Sequence, residues 1–214
     1  MIRSRSTPKS GHRAVACAMT ALFFASACSP ALNWREVRPP AADGLVGSFP
    51  CKPDHQDRAL RLPGLAGEVT VRLWSCQADE ATWVLTYLSV EDAAQVPQAL
   101  RALAAATRGN LEAVSHGLPQ APVDVALPPL RAQDLGPIDV PRMTPQADSR
   151  AWRFESVRPD ARGQGTLPLD VTAWHFSHGL TVFQASVWRR PEGQAMESGQ
   201  EAADVFLRGF HFPG

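Results

Sequence analysis

Two stretches of the chain alternate apolar and polar residues with a period of two, the signature of strands with one buried face. Across residues 68–76, Val69, Val71 and Leu73 fall on one side and Thr70, Arg72 and Trp74 on the other. Across residues 82–90, Trp83, Leu85 and Tyr87 oppose Val84, Thr86 and Leu88. Residues 77–81 are a hairpin-length connection between them. Upstream, Gly47-Ser48-Phe49-Pro50-Cys51 reads as a short edge strand, because proline cannot donate into a central ladder.

The period then changes. Leu100, Leu103, Ala104, Thr107 and Leu111 share one stripe at helical spacing, and Pro97 suits a first helical turn. Arg101 and Arg108 sit together on another, solvated face of that helix. Seven prolines between 116 and 150 rule out a helix there and make this Pro-rich insertion a specific elaboration, with a short strand at 123–127.

Strand periodicity returns in a last hairpin. Residues 166–177 and 180–190 flank His178-Gly179, a two-residue turn with glycine at positive φ. That turn predicts Trp174 opposite Phe183, Phe176 opposite Thr181 and Thr172 opposite Ala185 on a core face. His175, Val182, Gln184, Ser186 and Trp188 then lie on the other face. Ser198-Gly199-Gln200-Glu201 fits a capping box opening a final helix, with Ala202, Val205, Phe206 and Gly209 inward and Phe210 and Phe212 closing the chain. Strands, helix, strands and helix in this order predict an α+β domain, an antiparallel sheet with helices packed on it, over residues 45–214.

The first 27 residues differ in kind. Arg3, Arg5, Lys9 and Arg13 precede an apolar run at 14–27, and no acidic residue occurs before Glu36. This is the pattern of a secretory signal peptide. A run of 14 residues spans only about 21 Å as a helix, short of the ~30 Å hydrocarbon core of a bilayer. The whole chain has 21 basic and 21 acidic residues, so loss of the leader leaves 17 against 21. A mildly acidic remainder lacks the basic footprint of nucleic-acid binding.

Of the four cysteines, Cys17 leaves with the leader, and an odd number then remains: Cys28, Cys51 and Cys76. Ala25-Ser26-Ala27-Cys28 resembles the lipobox of bacterial lipoproteins. That resemblance implies that Cys28 is acylated, by palmitate or a similar chain, and becomes the new amino terminus. It also accounts for the odd thiol and leaves Cys51 and Cys76 to form a disulfide in an oxidising compartment. Residues 28–44, with Pro30, Pro39, Pro40 and Gly44, then read as a lipid-anchored linker. The resemblance places the protein in the cell envelope, on the periplasmic face of a membrane, and Ser29 favours the outer one. The order of elements over residues 45–214 resembles small uncharacterised proteobacterial lipoproteins with a PsbP-like α/β/α sandwich, an analogy that transfers no activity.

Catalytic signatures are missing: no Gly-x-Ser-x-Gly elbow, His-Glu-x-x-His, Walker loop or dinucleotide fingerprint occurs. His175 and His178, three apart on a strand, point to opposite faces and make no metal pair. No cofactor is expected. The chain therefore reads as a membrane-anchored binding or interaction module for an envelope protein or small ligand. His175, Gln184 and Trp188 are its candidate face, and a periplasmic hydrolase is the alternative.

Overall fold

The computed structural model describes residues 32–116, 129–159, 165–190 and 195–214. The leader, Cys28 and residues 123–127 lie outside them. The described chain contains a ribbon of β1 (Arg35–Val37) with β2 (Gly47–Phe49) and a seven-stranded antiparallel sheet. The sheet strands are β3 (Asp54–Leu60), β4 (Val69–Ala78), β5 (Ala81–Ser89), β6 (Arg131–Pro137), β7 (Arg150–Pro159), β8 (Thr166–His178) and β9 (Thr181–Arg189). Their spatial order is β3-β4-β5-β9-β8-β7-β6. Two hairpin systems, β4–β5 and β8–β9, thus meet through the β5–β9 ladder, where Tyr87 pairs with Phe183.

Two helices pack on the sheet, one on each face: α1 (Val96–His116) and α2 (Ala195–Arg208). The alternation in β5 sets the two faces. Trp83, Leu85 and Tyr87 join Phe176, Phe183 and Val187 beneath α2, whose Ala202, Ala203, Phe206 and Leu207 are buried. Phe206 meets Phe49, Trp83 and Phe210 edge-on, at centroid distances of 5.1, 5.4 and 5.1 Å. On the opposite face, Leu88 and Val182 pack with Val96, Leu100 and Leu103 of α1. Farther along, Val171 and Phe154 pack with Leu111. Asp92 caps the short 3₁₀ turn Ala93–Gln95 that leads into α1, accepting from the Ala94 amide at 2.9 Å.

Several expectations change. The last hairpin turns at Gly179-Leu180, not His178-Gly179, so Phe176 faces Phe183 and Trp174 faces Ala185. Moving the turn by one residue shifts the register by two, and the side chains keep their predicted faces. Gly179 takes the positive φ (56°) at the first turn position, as a type II′ turn requires. His178 is instead fixed in the strand, stacked on Phe212 at 4.1 Å. The capping-box pattern at 198–201 lies inside α2, which begins at Ala195. Val205 is 48% exposed, and Leu207 takes the inward place.

Residues 32–44 are not a free linker. Trp34 packs edge-on against Trp83, Ala42 is buried, and Tyr87 donates to the Pro40 carbonyl at 2.8 Å. The edge strand expected at 47–51 is β2, which pairs only with β1. Gly47 lies so close to the Phe210 ring that any Cβ would overlap it. The described part of the Pro-rich segment contributes one of the sheet's two edge strands, β6, ending at Pro137, a position where a missing donor is harmless.

Candidate functional site

A sheet of seven strands is about 29 Å across at ~4.8 Å spacing, and a single helix of ~10 Å diameter cannot cover it. α1 crosses from Leu88 and Val182 towards Phe154 and leaves the β3–β4–β5 corner open. There a groove of about 430 Å³ runs between the sheet and the Leu103–Ala106–Asn110 side of α1. Leu73, Val84 and Trp188 give it apolar walls, while Ser75, Thr86, Gln184 and Ser186 add neutral polar groups. Among the described residues that line it, Arg58 is the one charged group and none is a carboxylate, imidazole or thiol.

The candidate face from the sequence divides here. Gln184 and Trp188 line the groove. His175 pairs with Gln184 in the β8–β9 ladder and lies under α1, only 1% exposed. Its Nε2 is 3.2 Å from the Gln184 side-chain oxygen. That oxygen also receives the Thr107 hydroxyl at 3.0 Å, which is shared with the Leu103 carbonyl at 3.2 Å. Burial pushes the His175 pKa down to about 4, against the opposing pull of Gln184 and the Arg150 backbone. The ring is therefore neutral at physiological pH. It acts on the groove only by holding the Gln184 amide in place.

A second hollow of about 280 Å³ adjoins the first and shares Thr82, Val84 and Trp188 with it. Its other walls bring in Arg158, Arg189, Arg190 and Glu80, with Leu169 and Val114. Trp188 stands between the two hollows, half-buried, with its indole donating to Ser186 at 3.0 Å. Behind it, Asp170 is 2% exposed and is held by Arg153 at 2.8 and 3.2 Å and by Arg189 at 3.4 Å.

Sequence reasoning missed Thr107 as a site group, because its stripe position reads equally as core. It also missed Arg58, Arg158 and Arg190, which lie on strands without a clean alternation or at a strand end. No local signal links them. Cys51 and Cys76 form a disulfide with Cα atoms 6.0 Å apart, on the α2 side of the sheet. Among the described residues no group of three His, Cys, Asp or Glu side chains could hold a metal ion. No helix among them is long and apolar enough to cross a membrane. No protein-family model matches the chain, and no curated protein is significantly similar to it.

Proposed function

We propose that the chain is a lipid-anchored, non-catalytic binding module of the bacterial envelope, built on a PsbP-like α/β/α sandwich. Cys28 carries the acyl anchor, on the periplasmic face of the outer membrane, and the groove beside α1 is the binding site. The observation that carries this reading is the groove itself, with apolar walls and a few fixed neutral polar groups. That composition suits a mainly apolar small molecule. A hydrolase would need a nucleophile with a base within hydrogen-bond reach. The groove's serines, Ser75 and Ser186, have no imidazole or carboxylate beside them among its lining residues.

The test uses the full chain carrying Cys28→Ser, which has no acyl group and can be handled without detergent. Titration with N-phenyl-1-naphthylamine, an uncharged apolar fluorophore, is expected to saturate at one probe per chain. Ala106→Trp places an indole in the groove from an accessible helix position and is expected to weaken probe binding by about tenfold or more. Its melting temperature should stay unchanged. Absence of saturable binding, or equal binding by the filled variant, would reject the groove as a binding site.

A further inference from the structure

We infer that the groove takes a single-chain amphiphile with an anionic head, held head-first at Arg158 and Arg190. This rests on the groove reading above and names its ligand class. Strand parity places the site. Arg158 pairs with Leu167 on β8, two positions from Leu169, which packs towards α1. Arg190 follows Trp188 by two positions, one residue past the end of β9. Both guanidiniums therefore rise on the α1 face of the sheet, past the end of the groove, and line the second hollow.

Their partners are few. The Nε atoms of Arg158 and Arg190 are both buried, with no hydrogen-bond partner among the described residues. A buried N–H of this kind is ordinarily satisfied, so two beside one hollow point to an acceptor that the described residues do not supply. Among the described residues, Arg190 has only a loose contact with Glu80, at 3.8 Å, and the Glu80 carboxylate is 72% exposed. Arg189, the third arginine in the hollow, already engages Asp170. The last turn of α1 contributes the opposing field, equivalent to roughly half a negative charge. The two full positive charges of Arg158 and Arg190 outweigh this half charge and the Glu80 carboxylate together. Guanidiniums suit carboxylates and phosphates because their N–H donors match the spacing of two oxygens.

The apolar requirement comes from the same walls. Trp188, Val84 and Thr82 are common to both hollows, so a molecule with its head at the arginines meets the indole next and then the Leu73 and Leu103 surfaces. A cationic head would meet two like charges, and an uncharged hydroxyl could accept a hydrogen bond but would leave both positive charges unpaired.

Displacement of N-phenyl-1-naphthylamine from the full Cys28→Ser chain tests this. Four compounds of equal chain length serve as competitors below their micellar concentrations: laurate, dodecyl phosphate, dodecanol and dodecyltrimethylammonium. Laurate or dodecyl phosphate is expected to compete about tenfold more tightly than dodecanol, and the cation most weakly. The order of the two anions then separates carboxylate from phosphate heads. In the Arg158→Gln/Arg190→Gln variant the preference should vanish while dodecanol binding persists. Should that variant fail to fold, the salt dependence of the unsubstituted arginine pair decides instead, since the anion preference must shrink as ionic strength rises. Equal competition by all four, or a preference indifferent to salt, overturns the anionic head while leaving the groove in place. Failure of the probe itself to bind overturns both.

Discussion

Replacing Cys51 and Cys76 together with alanine is expected to lower the unfolding free energy by about 3.5 kcal/mol, through the loop-closure entropy of a segment of roughly 26 residues. The bridge closes that segment from just past the β1–β2 ribbon to near the end of β4, with β3 inside it. β3 is the strand that most needs this restraint. It is exposed at all seven positions and has a neighbour on one side only. The ribbon side also bears on the core, since Phe49 packs on Phe206. For a domain of this size the loss corresponds to a fall of about 10 °C in melting temperature. Urea melts of the double variant, and of the unsubstituted chain reduced with dithiothreitol, should agree. A change below about 1 kcal/mol in both would mean that the ribbon and β3 are held by their contacts alone.

The second large effect is on pH dependence. His175 has a folded pKa of about 4 against an ordinary 6.5, so between those values the unfolded chain binds a proton that the folded chain refuses. Stability from this group is therefore complete above pH 6.5 and is lost as pH falls towards 4. The loss runs at about 1.4 kcal/mol per pH unit, or roughly 3 kcal/mol in all. Asp134, whose carboxyl Arg150 and the Gly136 amide hold below the usual carboxylate range, titrates beneath this window. Urea midpoints of the unsubstituted chain should fall steeply across the window, and those of His175→Asn should fall less, by one proton's share. Parallel curves for the two proteins would show that the imidazole is reached by water.

His175 also shows how far sequence reading carries. Alternation put it on the same face as Gln184 and Trp188, and the ladder agrees. Whether that face is open or covered depends on where α1 lies, and a helix about 60 residues earlier in the chain leaves no mark on β8. The pattern at 68–76 and 82–90 was legible because β4 and β5 sit inside the sheet with one face on the α2 core and the other only partly covered, which keeps the alternation. β3, Asp-His-Gln-Asp-Arg-Ala-Leu, was not, because an edge strand with no buried residue carries no alternation. β7 was obscured differently. Trp152 and Phe154 face α1, but Arg153 on the other side points to Asp170 rather than to an apolar layer.

The groove follows the same logic. Its walls come from residues 56–62, 71–75, 82–86, 103–110 and 184–188, so it exists only as a gap between a wide sheet and a narrow helix. The arginines of the second hollow lie 32 positions apart and are aligned only through the β7–β8–β9 ladders. The ending of α2 was readable from Phe206, Phe210 and Phe212, large apolar residues with few places to go. Its start was not, because a good capping sequence is outcompeted when the preceding residues can also be helical.

A ligand made of one acyl chain and a charged head is most abundant beside a membrane, so the proposed groove and the proposed anchor belong together. Intact-mass analysis of the chain purified from envelope fractions examines that link directly. The mass should correspond to a polypeptide beginning at Cys28 with two or three fatty acyl groups attached there. A chain starting at that position with a free thiol, or one still carrying its leader, would contradict it.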